Sequence, residues 1–440
     1  MNKLMFCRLF ICLIILLFSC NFYSCNKEDL LFSSSGMDLP EEDNTNDESE
    51  EGFTDDGSIV NSVVYDSGTD NYIYYRIPAI LETKNGSILA FSEARNTRAD
   101  FYDGNESKFS NVPCASSSKD LGDIDLVVKR SLDGGHTWSD MIIVANDLLN
   151  TCGNPVPVIS SQTGRIFLFW CWQQWPSSLN SKLFSSLPDG NTRRVMYCYS
   201  DDDGKTWSEH FDLTSELKKS DWTWYATGPG HAIVKQYSPN KGRIIIPANH
   251  RDVTNQLNYS HIVYSDDNGL TWKVGGSTDL GGNESTVVEL TDGRLLLNMR
   301  IATSNIEGGC RAYCISEDGG ISWGSLQRNI ELIDPGCEGS INSYIDKNGN
   351  QILLLSNAHH ATSRSNICIS TSRNSGFSWT TPFVVWSGRG AYSDIFIFSD
   401  GSVGVIYEKG YGKYGVANPN EQIAFIRIPP SCIKTTLGIN

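Results

Sequence analysis

Carboxylates at a fixed distance from hydroxyls recur along this chain, a pattern that suits either proton transfer or capture of backbone groups in a turn. Ser131-Leu-Asp133-Gly-Gly135-His-Thr137-Trp138 returns as Ser200-Asp-Asp202-Asp-Gly204-Lys-Thr206-Trp207 and as Ser265-Asp-Asp267-Asn-Gly269-Leu-Thr271-Trp272. Looser copies are Ser316-Glu-Asp318-Gly-Gly320-Ile-Ser322-Trp323 and Ser372-Arg-Asn374-Ser-Gly376-Phe-Ser378-Trp379. The last has Asn374 where the others have Asp. An amide oxygen can accept the same turn bonds but cannot act as an acid, so the repeat reads as architecture rather than as a site. Cysteine is the other reactive type. Of 13, nine lie beyond residue 25, at 114, 152, 171, 198, 310, 314, 337, 368 and 432. An odd number without CxxC clusters or His partners fits neither a zinc site nor a complete disulfide framework. Most are expected to be small core residues, Cys198 and Cys368 above all, with a disulfide or two open in an oxidising compartment.

Each boxed copy has the make-up of a tight hairpin turn. Ser and Asp bond nearby backbone groups, Gly takes positive φ without steric cost, and Trp can pin the turn to the apolar layer below. Each follows a strand-like run: Ile124 to Val128, Val195 to Tyr199, Ile262 to Tyr264, Ala312 to Ile315 and Ile367 to Ile369. The unit is therefore strand, turn, strand, and it buries its apolar face only by stacking on its neighbours. From about Asn61 onward, short runs of Val, Ile, Tyr, Phe and Leu alternate with turn residues. Further hairpins are signalled at Asn85-Gly86, Asp292-Gly293, Asn348-Gly349 and Asp400-Gly401. Steps of 69, 65, 51 and 56 residues separate the copies, and each step holds about four strands with loops. Five copies with an unboxed region on either side predict an all-β fold, a six-bladed β-propeller with Asp-box turns over residues 59–440, closed by pairing of its first and last segments. The polar run Ser215 to Ser220 predicts a short surface helix.

Residues 1–25 have the pattern of an export signal, with Lys3 and Arg8 beside an apolar run, Leu9 to Phe18, too short to span a bilayer comfortably. Leu17-Phe-Ser-Cys20 reads as a lipoprotein cleavage box, Cys25 is a second candidate, and a plain secretory signal is the alternative. Residues 26–58 read as a disordered acidic tether, because Asp38 to Asp56 holds ten acidic residues and no Lys or Arg. The whole chain carries −16 and the remainder only about −6, so the acidity says little about the folded part.

Outside the boxes, Tyr75-Arg76-Ile77-Pro78-Ala79 and Phe91-Ser-Glu93-Ala94-Arg95, followed by Asp-box turns, resemble the exo-α-sialidases, specifically the bacterial enzymes of glycoside hydrolase family 33. The resemblance runs over almost all of residues 60–430. Sialic acid carries its carboxylate on the anomeric carbon, and a rigid bidentate cation suits it, Arg better than Lys. The resemblance implies a clamp of Arg76, Arg300 in Leu297-Asn-Met-Arg300, and Arg364 in Ser363-Arg-Ser-Asn366, with Glu408 in Ile406-Tyr-Glu408 as counter-ion to the first. A carboxylate nucleophile would be repelled by the substrate, and the family uses a neutral Tyr instead. Its match is Tyr392 in Gly390-Ala-Tyr392-Ser-Asp394. A phenol of pKa ~10 needs a base, and Glu284 in Asn283-Glu284-Ser-Thr-Val-Val-Glu289 matches that partner.

For the acid/base, two positions compete. Asp100 sits five residues after Arg95, whereas Asp120, in Asp120-Leu-Gly-Asp123-Ile-Asp125, leads into the strand before the first box. Asp120 is preferred. On that reading Asn96 to Lys119 contains an insertion, a loop with Cys114 that could cover the pocket. Arg95 would meet ring hydroxyls. Asp125 and Trp170, Trp172 and Trp175 could border the N-acetyl or glycerol pockets, the tryptophans being equally suited to the core. Tyr225, in Trp224-Tyr225-Ala-Thr-Gly228-Pro-Gly230-His231, would line the pocket floor, and His231 would be structural.

The implied activity is exo-hydrolysis of terminal α-linked sialic acid with retention, on sialylated glycans, with no cofactor and no metal. Alternatives are transfer of the sialyl group to another sugar or within sialic acid itself, and a non-catalytic glycan-binding propeller. No nucleic-acid partner is expected. The expected location is that of an exported bacterial outer-membrane lipoprotein, periplasmic or at the cell surface, or a secreted protein. A monomer is expected, touching a membrane only through its N-terminal lipid anchor.

Overall fold

The computed structural model describes residues 57–96, 120, 122–148, 150–174, 193–301, 309–413 and 418–439. The export signal, nearly all of the acidic tether, residues 97–119 with Asp100 and Cys114, and Trp175 lie outside the described residues. Strands dominate, and among the described residues helix is confined to Thr214–Leu217 and Pro430–Leu437. The first of these overlaps the polar run Ser215 to Ser220 expected to be helical, starting one residue before it and stopping at Leu217, which is buried.

Consecutive strands form antiparallel meanders. Tyr74–Glu82, Ile88–Asn96, Asp123–Ser131 and Ile142–Ala145 make one; Thr151–Ile159, Ile166–Gln173, Arg194–Ser200 and Phe211–Asp212 make the next. A single parallel pair, Ile124 with Thr151, joins these two into one hydrogen-bonded sheet. Trp222–Thr227, Ile244–Asp252, Asn258–Ser265 and Lys273–Ser277 follow, then Gly282–Glu289, Leu295–Ile301, Gly309–Ser316 and Gln327–Asp334. In the last sheet the 15-residue strand Phe383–Ile397 serves two meanders. Its first half pairs with Ser365–Ser372 and its second with Val403–Lys409. The first strand, Val60–Asp66, lies antiparallel to Gln422–Ile428, with Val60 opposite Arg427. That is the expected pairing of first and last segments.

Burial follows sequence. Tyr74–Glu82, apolar almost throughout, is buried at all but its last residue, whereas Gln327–Asp334 is exposed along most of its length. A strand covered on both faces reads as a continuous apolar run, and one at the edge does not. Apolar clusters bridge neighbouring meanders, as where Val156, Phe167 and Phe169 meet Ile244, Ile246 and Val263.

All five boxes close the hairpin between the third and fourth strands of a meander. In the first, Gly135 N–H donates to Ser131 Oγ at 2.8 Å and Thr137 N–H to Asp133 Oδ1 at 2.9 Å. The fifth keeps this pattern through Asn374, whose Oδ1 accepts from Ser378 N–H at 3.0 Å. The box tryptophans reach the preceding meander: Trp138 meets Phe425 edge-on at 5.5 Å, Trp207 meets Phe91 at 5.7 Å and Trp272 meets Phe169 at 4.6 Å. All eight described cysteines have free thiols, and seven are buried, including Cys198 and Cys368.

Candidate active site

Four strands break register beside one pocket: between Arg76 and Ala79, Gly153 and Val156, Gly282 and Ser285, and Gly390 and Ser393. Such a break interrupts the ladder and re-aims side chains, a common device next to active sites. The sequence prepares it. Pro78 and Pro155 have no N–H to give the ladder, and Gly153, Gly282 and Gly390 interrupt the β-branched runs. Ile77 sits at φ +57°, costly for a β-branched residue, and its N–H is captured by Glu408 Oε1 at 2.9 Å.

Glu408 is fully buried. Besides Ile77 it accepts Arg76 Nε at 3.0 Å, Arg76 Nη2 at 3.3 Å and Tyr392 N–H at 3.2 Å. One carboxylate thus fixes the first arginine, the strained turn beside it and the backbone of the tyrosine. The three arginines come from distant parts of the chain and converge on that tyrosine. The guanidinium carbons of Arg76 and Arg364 lie 5.1 and 5.3 Å from the Tyr392 ring centroid, and Arg300 Nη1 donates to its hydroxyl at 3.2 Å. Among the described residues no carboxylate pairs with Arg364.

The Tyr392 hydroxyl donates to Glu284 Oε1 at 2.7 Å, while Glu284 Oε2 accepts Arg300 Nη1 at 2.7 Å. Burial pushes the phenol well above its ordinary pKa and Glu284 adds to the shift, with Arg300 and Arg364 opposing. The site therefore holds a neutral phenol with its proton aimed at a carboxylate.

Asp120 stands at the rim with an exposed side chain. Arg95 Nη2 donates to its Oδ1 at 3.1 Å and Arg76 Nη1 is 3.7 Å away. Desolvation opposes its charge, but Arg95, Arg76 and Arg193 outweigh that and hold its carboxyl below the usual range. Arg95 is buried against Glu93, whose Oε2 accepts Arg95 Nε at 2.8 Å. Asp120, Arg95, Glu93, Glu284, Arg300 and Tyr392 line a cavity of about 280 Å³ together with Asn154, Trp224, Asn249, Arg251 and Asn258.

Two expected pocket residues lie elsewhere. Asp125 is buried away from the cavity, accepting from Tyr72 and from Asn146 Nδ2 at 2.8 Å. Tyr225 is wholly buried in the apolar cluster with Trp222. Neighbouring residues of a strand face opposite ways, so it is Trp224 that reaches the pocket. Trp170 belongs to the core and Trp172 Nε1 donates to Asp147 at 2.6 Å. His231 lies outside the pocket lining, its Nδ1 at 2.7 Å from Asp394 Oδ1 and its Nε2 at 3.2 Å from Asn342 Nδ2.

Residues 113–405 match the family described as BNR repeat-like domain. A sialidase of Clostridium perfringens is 32% identical over 317 residues, 66% of this chain and 72% of that protein. The chain belongs to the BNR (Asp-box) sialidase family. A Micromonospora viridifaciens sialidase is 30% identical over 356 residues, covering 79% of this chain, and the chain spans only 51% of that longer protein. The solved structure of a Hadza microbial sialidase superposes with a TM-score of 0.70 at 25% identity, over 85% of this chain and 69% of the other. The fold is accordingly that of the sialidase β-propellers.

Beside the residues to which the motifs assign a role, this sialidase-family pocket contains Glu93, Asn154 and Trp224, and Arg193 lies directly behind them. A signal for Asn154 existed in Gly153-Asn154-Pro155, a glycine and a proline inside an otherwise apolar strand, which marks a bulge. Arg193 had none, being one of two adjacent arginines at the start of a strand.

Proposed function

We propose that the chain is an exo-α-sialidase that releases terminal α-linked sialic acid from glycoproteins, glycolipids or oligosaccharides with retention of configuration. The observation that carries this reading is the Tyr392 hydroxyl held between Glu284 Oε1 at 2.7 Å and Arg300 Nη1 at 3.2 Å, under the guanidiniums of Arg76 and Arg364. A group of that kind serves a substrate that brings its own negative charge to the reacting carbon. Arg76, Arg300 and Arg364 bind the carboxylate. Tyr392 attacks the anomeric carbon while its proton passes to Glu284, and Asp120 gives a proton to the departing glycosidic oxygen. The sialyl group is then joined to the Tyr392 oxygen. Water, losing a proton to Asp120, displaces the phenol, which recovers its own from Glu284. Arg95 meets ring hydroxyls, and no step calls for a cofactor.

The meanders form a six-bladed propeller in this reading, the last blade completed by Val60–Asp66 beside Gln422–Ile428. We also propose that the chain is exported and lipid-anchored at Cys20 or Cys25 and works as a monomer. Partitioning of the full chain into detergent, lost in Cys20→Ser or Cys25→Ser, tests the anchor.

Turnover of a fluorogenic α-sialoside by the wild type, Tyr392→Phe, Asp120→Asn and Asp100→Asn tests the activity. The wild type is expected to release free sialic acid, Tyr392→Phe and Asp120→Asn to be severely impaired, and Asp100→Asn to remain active. A well-folded wild type without turnover rejects the enzyme, and an anhydro or sugar-transferred product rejects hydrolysis.

A further inference from the structure

The half-exposed arginines Arg165, Arg194 and Arg294 each hold an aspartate at 2.6 to 2.8 Å. Beside the carboxylate clamp that pattern fails. Arg389 is exposed and Lys409 half-buried, and among the described residues neither has a carboxylate within ion-pair distance. The carboxylates of that rim are engaged elsewhere. Asp66 accepts Lys413 Nζ at 3.2 Å, Glu421 accepts the N–H groups of Tyr411 and Gly412 at 2.5 and 2.6 Å, and Glu408 is buried on Arg76.

The ladder sets both cations next to the clamp. Arg389 lies opposite Ser365, the residue after Arg364, and Lys409 lies opposite Gly390, whose N–H donates to the Arg364 carbonyl at 3.2 Å. Arg364, Arg389 and Lys409 thus stand in a row across three adjacent strands, about 5 Å from one strand to the next. The row is built without spending its charges. The carbonyl of Arg389 accepts both Trp386 Nε1 and Gly410 N–H at 2.9 Å. Lys409 Nζ sits 4.5 Å from the centroid of the Trp386 ring, a cation–π contact that holds the ammonium in place. The indole is itself pressed on the strand, since a Cβ on Gly388 would fall 2.8 Å from its ring atoms. Neighbouring like charges repel, and a bound anion relieves that cost.

We infer that Arg389 and Lys409 form an anion subsite outside the pocket that takes a second acidic group, a carboxylate or a sulfate ester, on the sugar next to the terminal sialic acid. The inference rests on the sialidase reading and adds to it a substrate class, sialosides whose penultimate sugar is itself acidic. The penultimate sugar is bonded to the same anomeric carbon that bears the carboxylate. It therefore starts beside Arg364, and Arg389 stands one strand further out.

The test is kcat/KM of the full chain on 3′-sialyllactose, on the same trisaccharide with a sulfate ester on its galactose, and on α2,8-linked disialyllactose. Arg389→Gln combined with Lys409→Gln is expected to lose about three- to tenfold on one or both acidic substrates, the size of two exposed ion pairs. On neutral 3′-sialyllactose it is expected to stay within about twofold of wild type. The substrate that suffers the loss tells sulfate from carboxylate. High ionic strength is expected to shrink the wild-type preference for that substrate and to leave the variant unmoved. If the double variant does not fold by thermal melting, Arg389→Gln alone decides, with an expected loss of about two- to fivefold. No loss on either acidic substrate overturns the proposal while leaving the sialidase intact. The same loss in Lys205→Gln with Lys273→Gln, two exposed cations at the box turns, assigns the effect to net charge and also overturns it. No turnover of any of the substrates by the wild type overturns the sialidase reading itself.

Discussion

The phenolic hydroxyl of Tyr392 donates to Oε1 of Glu284 at 2.7 Å across 108 residues of sequence. The other oxygen of the same carboxylate is bound to Arg300 Nη1, so the group that would take the phenol's proton is oriented by one of the arginines that would hold the substrate. Glu284→Gln keeps the size of the side chain and a hydrogen bond to Tyr392 but cannot accept the proton. Its kcat on a fluorogenic α-sialoside is expected to fall by about 10²–10⁴ with KM little changed. A kcat within a few-fold of wild type, measured with the folded variant, would mean that another group deprotonates Tyr392.

The charge balance around Asp120 has a consequence for pH dependence. Without substrate, Arg95, Arg76 and Arg193 outweigh desolvation and hold its carboxyl below the usual range. A bound substrate carboxylate beside Arg76 cancels part of that positive field, so the proton affinity of Asp120 rises on binding. A group that must be protonated to react limits activity on the alkaline side. The alkaline fall of kcat/KM, which reports the free enzyme, is therefore expected at lower pH than that of kcat, which reports the complex, by about one pH unit. Both profiles are measured with the same substrate. Coincident limbs, or limbs that persist unchanged in Asp120→Asn, would show that Asp120 is not the acid.

Much of this site was legible because its residues sit in local motifs: Arg76 beside Ile-Pro, Tyr392 behind Gly390-Ala, Glu408 at a strand end. What could not be read was which way a side chain faces once its strand breaks register. Tyr225 and Trp224 are adjacent, and only the pairing of Trp224 with Arg251 and Tyr225 with His250 settles that Trp224 faces the pocket. Asp125 failed for a related reason. It lies opposite Ala94 rather than Arg95, on the face of its strand turned toward Tyr72. Arg193 touches Asn154 and Trp224, contacts that no spacing in the chain announces.

Glu338 is a buried carboxyl without a full set of partners. Its Oε2 accepts Ser393 N–H at 3.0 Å, and its Oε1 has no partner among the described residues. Burial pushes its pKa well above the ordinary value, with Arg311 opposing. For an acid whose folded pKa lies above the unfolded one, the associated stability is fully present below the unfolded value. It is lost as pH rises toward the folded one. Glu338→Gln has no proton to lose. Its melting temperature is expected to match wild type near pH 4 and to exceed it by roughly 1–3 °C at pH 8. A gap that does not widen with pH would mean that Glu338 is ionised in the folded protein.

The box glycines carry more of the fold than the box carboxylates do. Gly135 stands at φ +96°, and a Cβ there would lie 2.2 Å from Cε1 of Phe425, the ring that Trp138 meets from the same turn. Phe425 belongs to the strand that pairs with Val60–Asp66, so displacing its ring disturbs the contact between the first box and the end of the chain. Gly135→Ala is expected to destabilise by about 2 kcal/mol or more, from strain and overpacking together. Asn374→Asp is the contrasting change. In the native turn Asn374 Nδ2 donates to Ser378 Oγ at 2.8 Å, whereas in the fourth box Ser322 Oγ donates to Asp318 Oδ2 at 2.6 Å. An Asp at 374 needs only the hydroxyl of Ser378 to rotate, so the change is expected to stay within about 0.5 kcal/mol. Urea unfolding of both variants measures the difference. Equal midpoints would show that the turn's side-chain bonds, and not the close approach of its backbone to the neighbouring sheet, set the stability of the box.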